Sequence, residues 1–322
     1  VKPARAPTWP WLQPAQDRWL DAMGTGRLPH AVLVVGPAGI GKRSVADWIA
    51  AAMLCESPDR GGACGRCAAC ALVAASTHPD LSTCGIEEDA ASIKVEQIRS
   101  LCERFTLKSY RGGRKVSIID PADALTLSAF NALLKTLEEP PEESLLLLVV
   151  TRLERLPVTI VSRCQRLTIM TPARQVALTW LQEQETRADW PLLLDLAAGV
   201  PARAAQLAEA GIERVYRDVE NALLSGGIDA TSMGQTWAKD RPADRLRCLE
   251  HCLAAVARQA VSSEPVNNSR RDSLPSSVRL PDSRSVVRLL DSVRETTGRI
   301  DGPLNAQLLF ESLLVRVRQV FG

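Results

Sequence analysis

Residues 34–48 read VVGPAGIGKRSVADW. A β-branched pair enters a glycine-rich turn, and a helix leaves it with apolar residues at Val45, Trp48, Ile49, Ala52 and Met53. Strand, glycine turn and helix in that order make a phosphate-binding loop, whose backbone N–H groups converge on an anion at the positive end of the helix. The usual spacing is G-x-x-x-x-G-K followed by Ser or Thr. Gly36, Gly41 and Lys42 fit it, with Gly39 inside the turn. Arg43 stands where the magnesium-holding hydroxyl belongs. Ser44 brings a hydroxyl one place late, about 100° further round the helix. The stretch predicts a nucleotide-binding α/β fold whose own site lacks a metal ligand.

The rest of the first half supports that fold. HAVLVV (30–35), KVSIID (115–120) and SLLLLVVT (144–151) read as buried strands, and TIVSRCQRLTIM (159–170) contains a turn and a short fourth strand. Helices are predicted at 15–26, at 93–105, and over a stripe of Leu127, Phe130, Leu133, Leu134 and Leu137 that stops at Pro140-Pro141. Alternation of this kind predicts a parallel sheet with helices on both faces. KVSIID ends in Asp120, placed to hold magnesium through water. In ATPases with this loop the next residue is the acid that polarises the attacking water, and here it is Pro121. Asp123 is close in sequence but differently directed. ATP binding is therefore expected to be weak or absent, and hydrolysis is not expected. The plainer reading is a loop retained only for the fold.

Beyond residue 170 the chain reads as helical. Segments 172–184, 190–197 and 201–210 form a small unit, and a second helical region begins near Ile212. The polar stretch 262–283 interrupts it as an expected mobile loop, and helices resume at 284–297 and 303–320.

With 322 residues, two or three domains are expected. Hydrophobic residues at 46% and charged residues at 24% suit a globular chain with a real core. A net charge of +2 argues against a basic surface acting alone on DNA, and 4% aromatics argue against a base-stacking surface. No apolar run reaches membrane-span length. The N-terminal residues carry no apolar signal core, so a reducing, cytoplasmic setting is expected, in which the nine cysteines serve metal or core rather than disulfides.

Four of those cysteines are clustered. Cys55, Cys64, Cys67 and Cys70 are spaced C-x8-C-x2-C-x2-C in sequence rich in Gly and Arg. Four thiolates suit a closed, tetrahedral and therefore structural zinc site. Gly61, Gly62 and Gly65 let the backbone turn tightly around it. Cys84, Cys102, Cys164, Cys248 and Cys252 read as core or incidental. His78, in THPD, reads as a turn residue rather than a fifth ligand.

GPAGIGK, the four cysteines, THPD (77–80), NALLKTLEEPP (131–141) and VSRC (161–164) follow in this order. Together they resemble the delta-prime branch of the AAA+ clamp-loader family of bacterial DNA polymerase III, over most of the first 170 residues. The C-terminal half matches mainly in length and helical character. The resemblance implies a P-loop AAA+ parallel-sheet domain at 1–170 with a zinc module at 55–70, a small helical lid at 171–211 and an all-helical collar at 212–322 for oligomerisation. It implies a five-membered ring with delta and tau/gamma subunits, which loads the sliding clamp onto primer-template DNA at replication forks without a membrane. Within the ring this branch is a stator that does not hydrolyse ATP. Lys42 departs from family members that have lost the loop lysine, which keeps nucleotide binding open.

The resemblance also gives Arg163 a role, as an arginine finger that completes the ATP site of an adjacent tau/gamma subunit. Without it, Arg163 reads as a surface arginine paired with a local acid. Ser162 and Cys164 would be support. Arg203 stands near the position where active relatives sense nucleotide. Lys135, Glu138 and Glu139 face outward. The acidic pair near a helix C-terminus is locally unfavourable and suggests either an external positive partner or a solvated face. Lys108 with RGGRK (111–115) makes a small basic patch. Two other readings compete: an active ATPase of the tau/gamma type, opposed by Arg43, Pro121 and the lack of a long C-terminal extension, and a zinc-containing nucleic-acid-binding module, opposed by charge and composition.

Overall fold

Parallel strands need crossover connections, and in the first half of the chain each crossover contains at least one helix. The computed structural model describes residues 9–59, 61–184, 187–224, 227–261, 282–300, 302 and 305–321. The chain divides into two units, Val1–Val176 and Ala177–Gly322. In the first, β1 (Ala31–Val35), β2 (Leu81–Cys84), β3 (Lys115–Ile119), β4 (Ser144–Val150) and β5 (Gln165–Thr168) form one sheet in the order β2-β3-β4-β1-β5. Every neighbouring pair is parallel. The helices of this unit are α1 (Gln13–Gly24), α2 (Lys42–Leu54), α3 (Ala68–Ala74), α4 (Val95–Thr106), α5 (Leu127–Glu138) and α6 (Val158–Val161).

Strands β1, β3 and β4 are buried on both faces, which is why SLLLLVV does not alternate with polar residues. Ala31, Leu33, Leu146, Leu148 and Val150 share one core with Ile98, Leu101 and Phe105 of α4 and Phe130, Leu133 and Leu137 of α5. The alternate residues Val32, Val34, Leu145, Leu147 and Val149 are equally buried and point to the other face, where α2 packs on β1, β3 and β4. Burying one such side chain contributes about 1.5–3 kcal/mol. Because all strands run the same way, the chain leaves β1, β3 and β4 at one edge of the sheet. That edge gathers the glycine loop, Asp120 and the residues after Val150, the usual ligand position in an open α/β sheet.

Neither β2 nor α3 is legible in the apolar pattern of the sequence. Strand β2 lies at the sheet edge, paired only with β3, and its LSTC carries two polar residues.

The second unit is helical among its described residues. It contains α8 (Trp190–Leu196), α9 (Pro201–Glu209), α10 (Ile212–Leu224), α11 (Ala230–Lys239), α12 (Pro242–Val261), α13 (Ser283–Arg299) and α14 (Ala306–Phe321), while α7 (Arg174–Gln182) spans the division. One core runs from Ala177 and Leu181 through Trp190, Leu193, Val219, Leu249 and Val293 to Phe310, so residues on both sides of the α9–α10 junction share it. Trp237 meets Phe310 edge-on at 5.9 Å. The expected loop at 262–283 lies outside the described residues, apart from Asp282, which accepts from the Ser285 N–H at 3.3 Å and caps α13, and Ser283, the first residue of that helix. No helix among the described residues is long and apolar enough to cross a membrane.

Candidate functional site

Gly41 opens α2 in a left-handed conformation, φ 102°. A Cβ there would stand 2.7 Å from the Trp9 ring, so both backbone and packing require glycine. Trp11 Nε1 donates to the Ile40 carbonyl at 2.9 Å, and the Trp9 and Trp11 rings stack at 5.3 Å. A tryptophan pair from the N-terminal segment thus covers the loop, a contact that no periodicity in TWPWL discloses. Gly39 is also left-handed, and Gly36 sits close against the Ile169 carbonyl.

Lys42 is buried, and its Nζ donates back to the Pro37 carbonyl at 2.9 Å. Burial pushes its ammonium pKa down, and the charges of Asp120 and Asp123 pull it partly back. Arg43 is exposed. Its Nε meets Asp47 Oδ1 at 2.8 Å, and its Nη1 lies 3.4 Å from Asp120 Oδ2. A guanidinium therefore leans on the carboxylate that the sequence marks as the expected holder of a hydrated magnesium. Ser44 is half-buried at the next helix position. Asp123 is buried, and its two oxygens accept the N–H groups of Thr151 and Arg152 at 3.2 Å each. It ties down the end of β4. Gly36, Gly39, Gly41, Lys42, Arg43 and Asp120 are brought together, and the residue after Asp120 is Pro121, which carries no carboxylate.

Arg163 follows the last turn of α6, with its N–H donating to the Ile160 carbonyl at 3.2 Å. Its Nη1 donates to the Thr159 carbonyl at 3.1 Å, and its Nη2 meets Glu138 Oε1 at 2.7 Å. Glu138, the first of the acidic pair at the end of α5, thus has a positive neighbour within the chain. Ser162 Oγ also donates to the Thr159 carbonyl, at 3.1 Å. Cys164 is half-buried, and burial raises its thiol pKa to about 11, so it remains a protonated, inert thiol. In the second unit, Arg203 of α9 is half-buried near Asp244 and Arg247 of α12. Burial pushes its pKa down, Arg247 adds to that, and Asp244 opposes it.

The cysteine centre is compact. The Sγ atoms of Cys55, Cys64, Cys67 and Cys70 all lie within 4.8 Å of one another. Cys55 to Cys67 is 3.9 Å and Cys64 to Cys70 is 4.0 Å. Four thiolates around a tetrahedral ion with bonds of about 2.3 Å stand roughly 3.8 Å apart, so the donor set fits a zinc-sized metal. Backbone N–H groups aim at sulfur, Cys64 N at Cys55 Sγ (3.3 Å) and Cys70 N at Cys67 Sγ (3.4 Å). The N–H groups of Arg66 and Cys67 bring the Cys64 thiol down to about 6, whereas burial raises Cys70 to about 12. Gly62, φ 100°, lies so close to the Trp48 indole that a Cβ would approach it to 2.8 Å, which fastens this module to α2.

His78 is not among the four. It is buried, and its Nδ1 accepts the Asp80 N–H at 3.2 Å. The Asp80 carboxylate accepts the N–H groups of Tyr110 and Arg111 at 2.7 and 3.1 Å, so THPD organises the turn before β3. The basic patch expected there is mostly neutralised. Arg111 pairs with Glu56 at 2.6 Å and Arg114 with Glu143 at 2.7 Å, and Lys115 is buried, donating to the Phe105 carbonyl. Cys84, Cys102, Cys248 and Cys252 are core cysteines, buried or half-buried against apolar neighbours.

A family model described as DNA polymerase III, delta subunit, matches residues 13–173. The DNA polymerase III delta-prime subunit of Pseudomonas aeruginosa is 39% identical over 238 residues, 72% of each chain. That of Escherichia coli K12 is 31% identical over 319 residues, 96% of this chain and 95% of its own. The tau subunit of Escherichia coli K12 is 43% identical over 145 residues, 45% of this chain and 22% of its own. Likeness to the Escherichia coli delta-prime chain extends through the helical unit, whereas likeness to tau is confined to less than half of this chain.

Proposed function

The chain belongs to the DNA polymerase III delta-prime family, and from that premise we propose that it is the non-hydrolysing stator of a clamp loader. The observation that carries this reading is Arg43 on Asp120, a cation of the protein's own where an active site would hold magnesium. Its part in the complex would be geometric. The α/β unit and a lid at 171–211 stand against a neighbouring ATPase subunit, and a collar at 212–322 joins the delta and tau/gamma subunits. The assembled ring opens the sliding clamp and places it on primed DNA in the cytoplasm.

Arg163 serves that neighbour as a finger. A guanidinium delivered in trans stabilises charge on the phosphoryl group being transferred, and its planar fork can hold two oxygens at once. Cys55, Cys64, Cys67 and Cys70 hold a structural zinc with no open position, which supplies rigidity rather than chemistry. Lys42 and the loop N–H groups retain at most weak affinity for nucleotide.

The test is reconstitution with delta and tau/gamma subunits, followed by ATP turnover stimulated by clamp and primed DNA. Arg163→Ala should leave assembly and zinc content unchanged and lower turnover. The loss should be well below the roughly 10³–10⁵-fold seen where a finger serves the only site, because other sites in the ring keep theirs. Failure to co-assemble, or equal turnover at matched assembly, would remove the stator reading or the finger respectively.

A further inference from the structure

We infer that Glu138 is the positioning residue of Arg163, holding the guanidinium in the orientation in which it meets a phosphate of a neighbouring subunit. This rests on the finger reading above and goes beyond it, because it names the group that prepares the finger.

Both ends of the contact are anchored. Leu133 and Leu137 of α5 are buried, Thr126 Oγ1 accepts the Ala129 N–H at 3.3 Å to cap its start, and Pro140-Pro141 follows its end. Glu138 is therefore carried by a fixed helix terminus. Arg163 is fixed by its own N–H on Ile160 and by Nη1 on the Thr159 carbonyl. The Nη2–Glu138 contact of 2.7 Å then removes the remaining freedom of a long side chain. An unrestrained arginine would lose that rotamer entropy only on meeting phosphate.

The donor count shows that Glu138 need not leave. A guanidinium has five N–H donors. Thr159 takes one on Nη1 and Glu138 one on Nη2, which leaves Nε–H and one on each terminal nitrogen. A bidentate phosphate contact needs two. The side chains remain 37% and 50% exposed, so an incoming subunit can reach them. The same exposure limits the pair's strength, and it bounds the effect at the few-fold level of a surface ion pair. The placement also accounts for an acid at the last residue of α5, where the helix dipole disfavours it.

The experiment is a double-mutant cycle in the reconstituted complex, with turnover measured over a range of ATP concentrations at matched assembly. Glu138→Ala should lower clamp- and DNA-stimulated kcat about two- to five-fold with little change in KM. Glu138→Gln, which still offers a carbonyl acceptor, should retain most of the rate. In an Arg163→Ala background, Glu138→Ala should add no further loss. Unchanged turnover of Glu138→Ala beside a clear loss in Arg163→Ala would overturn the positioning role and leave the finger intact. A Glu138→Ala loss that persists undiminished without Arg163, or a Glu138→Gln variant as slow as Glu138→Ala, would also overturn it. No loss in Arg163→Ala itself would sink the finger reading on which this one stands.

Discussion

Arg43 Nη1 lies 3.4 Å from Asp120 Oδ2, so a cation from the first turn of α2 rests on the acid that directly follows the third strand. Restoring a hydroxyl with Arg43→Thr removes that cation and returns the usual metal ligand. The variant should gain magnesium-dependent ATP binding, several-fold tighter than without the metal, in a calorimetric titration. Loss of an exposed pair should cost less than about 1 kcal/mol of stability. Neither the parent chain nor the variant should turn over ATP, since Pro121 supplies no carboxylate and Asp123 is occupied by Thr151 and Arg152. Sustained turnover by purified Arg43→Thr would show that the missing metal ligand was the sole defect.

Lys42 carries its charge in a buried place, and burial holds its pKa below the ordinary lysine value near 10.4. A lowered lysine pKa means that the protonated form is disfavoured in the folded state. Below the folded value the penalty is fully present. It is relieved as the pH rises from the folded value towards the unfolded one. Lys42→Met should therefore be no less stable than the parent at pH 7, to within about 1 kcal/mol, because relief from desolvation offsets the lost bond to Pro37. Any advantage should shrink in strongly alkaline buffer. Residual nucleotide binding should vanish. Thermal unfolding across pH, with nucleotide titration of the same samples, checks both; a variant destabilised by several kcal/mol at pH 7 would show that the Pro37 contact outweighs burial.

The central sheet was legible because β1, β3 and β4 are uninterrupted apolar runs, and the cysteine centre because its ligands are close in sequence. Strand β2 was not, since an edge strand with Ser82 and Thr83 carries no apolar run. The glycine loop disclosed its missing ligand through Arg43, but not what Arg43 does, which depends on a strand end far along the chain. The same holds for Glu138 on Arg163, Trp9 on Gly41 and Asp80 beneath Tyr110. Each joins segments that only the folded sheet brings together. RGGRK suggests a basic surface, yet Lys115, the first residue of a strand, points its ammonium inward to the Phe105 carbonyl.

Asp80 bears on the turn before β3. Its two oxygens take the Tyr110 and Arg111 N–H groups. Asp80→Ala leaves both donors without that acceptor and should destabilise the chain by roughly 1–3 kcal/mol. Asp80→Asn keeps one carbonyl oxygen and should lose about half as much. Amide exchange at Tyr110 should quicken in both, more in the alanine variant. Unchanged denaturation midpoints together with unchanged exchange would show that solvent satisfies these N–H groups equally well.

The four cysteines give the last expectation. Protein purified without chelator should contain about one zinc per chain, and Cys67→Ser should contain much less. Metal binding is linked to folding, since the four sulfurs converge only in the folded chain and an ion bound there stabilises that state. The loss should not stay local. Gly62 of the module packs on Trp48, which belongs to α2, the helix that the glycine loop leads into. Arg111 reaches from the turn before β3 to Glu56, next to Cys55. Cys67→Ser should therefore lower the unfolding temperature by several degrees, equivalent to more than about 2 kcal/mol. It should also make 56–70 a preferred site of limited proteolysis and quicken exchange at Arg111. Chelation of the parent chain should reproduce all three changes, and added zinc should reverse them in the parent but not in the variant. A parent chain with far less than one zinc, or a Cys67→Ser chain as stable and protected as the parent, would reduce the cluster to four neighbouring thiols.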